Sequence, residues 1–200
     1  MTVRDQLDHH RHVDHLGPRA EVVDDSVPRE TEWLTKNDGI VLPGQTNDAA
    51  RWVTREQIRS AAEGRDPAAL WYYSGTCRGR SVEEATKATA GKYGGETMMM
   101  LIEGLGMPTP FYSDYSDRAE AFWRDASAGF SEAARGEVRV VFGDTVRRTG
   151  NWHRVECPTL VANPRVTTLL WARPGTLFRP LPATWRTEPR DRLPPGVVLR

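Results

Sequence analysis

The chain is short of cysteine, of lysine and of net charge, and each shortage excludes something. Its 200 residues include two cysteines, Cys77 and Cys157, too few for a disulfide framework or for a structural zinc site of their own. The core must then hold the fold unaided, which suits a reducing compartment. Twenty-seven acidic residues balance 27 basic ones, so nothing favours a polyanionic partner and nucleic acid is not expected as a ligand. The only lysines are Lys36, Lys87 and Lys92; the other cations are arginines, whose planar guanidinium suits diphosphate. No segment approaches a membrane span, and MTVRDQLDHHRHVDHLGPRAE lacks the apolar stretch of a secretory signal. The expected location is cytoplasmic, or outside the cell by a non-classical delivery route. The absence of GxGxxG and P-loop patterns counts against Rossmann and ATP-binding readings.

The length suits one domain. Residues 1–30 form a polar arm or linker in which His9, His10, His12 and His15 alternate with Asp5, Asp8 and Asp14. Such groups can ligate a transition metal, but a solvated arm is the plainer reading, and no metal site is assigned. The boundary falls near Pro28 to Trp33, leaving residues 31–200 as the folded unit.

Thr54 and Gln57 form a capping box that opens the helix TREQIRSAAEGR. The apolar run AALWYYSG reads as a strand. Ser81 with Glu84 suggests a second capping box, opening SVEEATKATAGKY. In ETMMMLIEGLGM a helix is expected from Glu96, with Met98, Leu101, Ile102 and Leu105 as its buried stripe. A carboxylate at Glu96 would be stabilised there by roughly 0.3–1 kcal/mol from the free amides of the helix start. MPTPFYSDYSD is a loop long enough to rim a pocket, and Asp117 with Glu120 is expected to cap the helix that follows. The Pro- and Arg-rich tail after Trp171 should run extended over the surface, anchored by Leu177, Phe178, Leu181 and Trp185.

The most informative stretch runs from Phe122 to Trp171. It reads as a helix (FWRDASAGF), a strand (EVRVVFG), a turn-rich loop, a strand (NWHRVEC) and a further strand (VTTLLW). Trp123 and Ser127, four residues apart, share one helix face, with Phe130 a turn further on. In NWHRVEC, strand alternation would place Trp152, Arg154 and Glu156 on one face and His153, Val155 and Cys157 on the other. An acid on the polar face of a strand is most often merely solvated.

The order FWRDASAGF, EVRVVFG, Asn151-Trp152, Val155-Glu156, VTTLLW resembles the C-terminal half of the ADP-ribosyl cyclase and NAD glycohydrolase family. The resemblance extends from about Leu70 to Trp171 and rests on spacing more than identity. It implies an α/β fold with an N-terminal helical portion and a C-terminal short parallel sheet flanked by helices, holding a nucleotide between them. It also implies that Glu156 is the catalytic acid, that Trp123 stacks on nicotinamide, and that Ser127 lines the pocket. Trp71 takes the place of a second tryptophan at a strand end, with Ser74 the nearest hydroxyl, and Glu96 that of an acid contacting the nicotinamide amide. Asn151 stands where the cyclase branch has an aromatic, five residues before the glutamate, with Trp152 beside it; alternation would turn these two to opposite faces.

The implied reaction is cleavage of the nicotinamide–ribose bond of NAD, which is then the substrate, with no cofactor. The leaving ring departs neutral and needs no protonation, so one carboxylate suffices where ordinary glycosidases use two. That carboxylate stabilises an oxocarbenium-like transition state, and flanking tryptophans attract the pyridinium. Diphosphate would lie on Thr149, Gly150 and Asn151, with Arg147 or Arg148 nearby. As a bacterial toxin-like or effector member of such a family, the chain would be expected to have a neutralising (immunity) protein. Two other readings stay open: a mono-ADP-ribosyltransferase toxin, which usually carries an acid or Gln two positions before the glutamate where Arg154 stands, and a non-catalytic interaction domain on the same fold.

Overall fold

In the computed structural model the described residues are 45–66, 69–111, 114 and 116–200. The His-rich arm, the proposed boundary near Trp33 and part of the loop before Ser116 lie outside them. The chain is α/β. Helix α1 (Arg55–Glu63) opens with the expected box: Thr54 Oγ1 accepts from the Gln57 amide, and the Gln57 side chain accepts from that of Thr54. Strand β1 (Leu70–Ser74) leads into the short strands β2 (Thr76–Cys77) and β3 (Arg80–Ser81). Helix α2 (Glu83–Lys92), β4 (Glu96–Thr97) and α3 (Met98–Gly104) follow. Next come the long helix α4 (Asp117–Ala133), β5 (Gly136–Phe142) and β6 (Thr145–Val146). A π-helical turn (Trp152–Glu156) runs into α5 (Cys157–Ala162), and β7 (Val166–Ala172), β8 (Arg179–Pro180), two 3₁₀ turns and β9 (Val198–Leu199) complete the chain.

Five strands form the main sheet in the order β4-β1-β5-β7-β8, parallel except for the β7–β8 pair. A smaller sheet, β3-β2-β6-β9, sits beside it. Because side chains alternate along a strand, β5 sends Val138, Val140 and Phe142 into the larger core with α1, α3, α4 and α5, and Val141 into a smaller one with Ala85 of α2 and Val82 just before it. Each face of the parallel sheet is thus covered by helix, as buried parallel strands require.

Several local expectations are corrected. NWHRVEC is not a strand: Asn151, Glu156 and Cys157 all have right-handed helical backbone, and the Cys157 amide bonds back five residues to the Trp152 carbonyl. The cause is Pro158. It has no N–H to give the Arg154 carbonyl and its ring would collide with that oxygen in a regular α-helix, so the helix widens by one residue just before it. The box at Ser81 and Glu84 does not form; Val82 precedes the helix, and Glu84 instead pairs with Lys87 at 3.6 Å. α3 starts two residues later than expected, capped by Thr97 Oγ1 on the Met100 amide at 3.2 Å, so Glu96 lies in an edge strand rather than in the first turn. Leu105 is 49% exposed and leaves the buried stripe to Leu101 and Ile102. Ser116, not Asp117, caps α4. The tail is less extended than expected: it adds a strand to each sheet and buries Leu181 and Trp185, while Leu177 stays exposed.

Candidate active site

A cavity of about 200 Å³ opens at the carboxyl end of β1, where open parallel sheets place their ligand sites. Five elements build its wall. β1 supplies Tyr72, Tyr73, Ser74 and then Gly75; α4 supplies Ser127 and Phe130; the π turn and the residue before it supply Asn151, Trp152 and Glu156; Met98 and Ser81 complete it. Gly75 is required at the bend. Its φ is +91°, and the Thr145 main chain occupies the space a Cβ would need.

The helical turn at 152–156, not strand alternation, brings Trp152 and Glu156 to the same cavity: they are one turn apart, and both are buried. Asn151 lines it with them rather than facing away. The Trp152 indole is wedged edge-on against Phe142 at 5.1 Å and Tyr72 at 6.2 Å, and Tyr72 tilts over Phe130 at 5.2 Å. These rings exclude water from one side of the Glu156 carboxyl.

That exclusion sets the chemistry of the site. Burial pushes the Glu156 carboxyl up to about 8, and the Ser127 hydroxyl draws it only part of the way back. Ser127 Oγ is itself fully buried and has no well-formed hydrogen bond. Tyr72 donates to the Phe130 carbonyl at 3.3 Å, and burial pushes its phenol above its usual range, with the Ser131 hydroxyl opposing and the neighbouring Glu156 charge adding a little. Among the described residues no Lys, Arg or His lines the cavity. Glu156 is therefore a buried acid whose cation the wall does not supply, an arrangement that costs heavily unless the acid keeps its proton or a ligand brings the charge.

The sequence-derived residues divide accordingly. Glu156, Ser127, Ser74, Asn151 and Trp152 meet at the cavity. Trp71 reaches its wall only as a strand residue. Its indole points to the other sheet face, edge-on to Phe178 at 5.1 Å with the Arg139 guanidinium 5.6 Å from its centre, and it lies so close to Gly95 that no Cβ fits there. Glu96 is not brought to the cavity; it pairs with Arg65 at 2.9 Å. Trp123 is half-buried one turn before Ser127, edge-on to Phe122 at 4.9 Å, and is not among the lining residues. Tyr72 joins the cavity without a role assigned from the sequence, and alternation along LWYYS places it opposite Trp71 and with Leu70, on the face α4 covers. Among the described residues no three His, Cys, Asp or Glu side chains cluster as a metal site would need, and no helix is long and apolar enough to cross a membrane.

No family model matches the chain, and no curated protein matches it. Among solved structures it is similar to porcine CD38 complexed with a covalent intermediate, ribo-F-ribose-5′-phosphate, with a TM-score of 0.38 and 19% identity. The matched part spans 55% of this chain and 56% of that one, little more than half of each.

Proposed function

We propose that the chain is an NAD glycohydrolase that cleaves the nicotinamide–ribose bond to give nicotinamide and ADP-ribose. The observation that carries this is the buried carboxyl of Glu156 in an aromatic-walled cavity whose described lining residues include no cation. Oxidised NAD brings the missing charge, first on the pyridinium and then, as the bond breaks, on the ribose. A carboxylate held where that charge develops stabilises the transition state more than the ground state. Rings such as Trp152 and Tyr72 tolerate a flat cationic heterocycle, and the Ser127 hydroxyl is free to donate to a ligand or to the ionised carboxyl.

The cavity is smaller than the roughly 300–1,000 Å³ of sites that enclose a drug-sized ligand, so it accepts the nicotinamide and part of its ribose. The diphosphate and adenosine lie outside, over Asn151 and the preceding Thr149-Gly150. An enzyme of this kind inside a cell drains its NAD, so a neutralising protein partner or a delivery route out of the producing cell belongs to the proposal, as does a toxin or effector role.

Hydrolysis rather than cyclisation is the expected outcome. Asn151 offers adenine no aromatic platform, and Trp152, though in the cavity wall, is 2% exposed with its ring committed to Phe142 and Tyr72. Incubation with NAD and with a fluorescent etheno-NAD analogue, followed by chromatography, tests the proposal. ADP-ribose and nicotinamide in equal amounts are expected. A major cyclic ADP-ribose peak would overturn the product assignment, label transferred to a protein acceptor would favour a transferase, and intact NAD would leave only the binding fold.

The same assay, with a melting curve beside it, tests whether Trp71 meets the ligand. Trp71→Phe should lower the melting temperature by about 5 °C through lost packing against Phe178 and Arg139, with KM for NAD unchanged. A raised KM at unchanged stability would put the indole on the ligand.

A further inference from the structure

The Glu156 and Ser127 helices are joined at their far ends by the side chain of Asn163, with the Arg165 guanidinium beside it on the Glu132 carbonyl. Asn163 ends α5 with its amide on the Thr159 carbonyl at 2.9 Å, and its side chain is buried. Asn163 Nδ2 donates to three carbonyls at the end of α4: Ser131 and Glu132 at 3.2 Å each and Ala134 at 2.8 Å. Asn163 Oδ1 accepts from the Arg165 amide at 3.0 Å. This fixes the orientation of the amide group, since a flipped oxygen would face three carbonyl oxygens. The carbonyls of a helix's last turn have no partner within the helix, and here a residue of the catalytic helix satisfies them.

Glu156 lies seven positions before Asn163, and Ser127 seven before Ala134. Both helices therefore rise from the clamp by the same number of residues, about 10 Å at 1.5 Å each, which sets the carboxyl and the hydroxyl level with each other. A slip of one helix by a single residue would move Glu156 by about 1.5 Å relative to Ser127. α5 has a second tether: the Arg186 guanidinium donates to the carbonyls of Leu160, Val161, Asn163 and Val166. That tether ties α5 to the tail and to β7, not to α4. It can keep the helix docked without setting its register against Ser127.

We propose that Asn163 is a positioning residue of the active site, whose side-chain amide holds the Glu156 helix in register with the Ser127 helix. The idea rests on Glu156 being the catalytic group proposed above, but its placement against Ser127 can be read without any substrate. The titratable and polar groups that face the carboxyl are Ser127 from α4, which draws it down, and Tyr72 from β1 and the Cys157 thiol on its own helix, both pushed up by burial and further by its charge, Cys157 to about 11 with Arg192 opposing. Of these only Ser127 favours the ionised carboxyl, so losing the register removes that support.

The test is a double-mutant cycle of Asn163→Ala and Ser127→Ala with two readouts. The first is the Glu156 titration midpoint, followed by carbon-13 carboxyl NMR and assigned by its absence in Glu156→Gln. Asn163→Ala is expected to raise the midpoint as Ser127→Ala does, and the double variant to go no higher than either. The second is turnover: Asn163→Ala should lower kcat about tenfold or more with KM within about twofold, and should cost little in the Ser127→Ala background. An unmoved midpoint, or effects on kcat that multiply fully, would overturn the positioning role and leave Asn163 a helix cap. If Asn163→Ala does not fold, the same cycle is run with Asn163→Ser, which keeps one donor, against the same two criteria. Absence of NAD cleavage by the wild type would refute the proposed reaction while the titration still judges the register.

Discussion

Glu156→Gln is expected to lower NAD cleavage on the order of 10²-fold or more, as for other charged groups that stabilise a transition state, and at the same time to make the protein more heat-stable at pH 8. The amide keeps the shape of the side chain and can still meet the Ser127 hydroxyl, but it carries no charge to offer the ribose. The stability gain follows from the sign of the shift. Glu156 is pushed from an ordinary 4.5 up to about 8 in the folded protein, so between those values the folded chain holds a proton that the unfolded chain has released. The contribution of the neutral carboxyl is complete below 4.5 and is lost as pH rises through 8. The glutamine variant has no such proton to lose. Its melting temperature should exceed the wild type's by about 5 °C at pH 8–9 and converge with it near pH 5. Activity within a few-fold of wild type would move the catalytic role elsewhere, and a melting temperature below wild type at pH 8 would mean that the carboxylate is well paired when ionised.

The parallel sheet was legible because its strands are short apolar runs bounded by Gly, Pro and polar clusters, and both EVRVVFG and VTTLLW lie where periodicity places strands. The helix at Thr54 was legible because its capping box is local. The turn at 152–156 was not. NWHRVEC alternates well enough to pass for a strand, and only Pro158, one residue beyond it, argues for the first turn of a helix. The misreading leaves Glu156 and Trp152 on one face, since residues four apart also share a side of a helix, but it wrongly turns Asn151 away from them. Trp71 misled for the opposite reason. It is the second residue of β1 rather than one at its carboxyl end, and the faces of that strand are assigned by what covers them, so that Tyr72 rather than Trp71 faces α4. Asn163 left no legible signal, because its partners are carbonyls some 30 residues away in the chain and no local pattern announces them.

A single buried acid that must be ionised to act ties the reaction to pH, and kcat/KM for NAD should climb about tenfold per pH unit from pH 6 to a plateau near pH 8. Below 8 most of the free protein carries a neutral Glu156, which has nothing to offer a cationic ring or the ribose beside it. The substrate works against this. Seating a pyridinium in a dry cavity favours the carboxylate, as any opposite charge within a few ångström does, so binding drives a proton off Glu156 into solvent. The profile of kcat, which reports the bound state, should therefore break at least about one pH unit lower than that of kcat/KM, and binding of NAD at pH 7 should release close to one proton when measured calorimetrically in buffers of different ionisation enthalpy. Reduced NADH, whose nicotinamide is neutral, has no charge with which to displace the proton and should bind with none released. Coincident breaks for the two kinetic profiles, or a kcat/KM flat from pH 6 to 9, would show that the carboxyl is already ionised in the empty cavity, and the charge it awaits would then have to come from the protein after all.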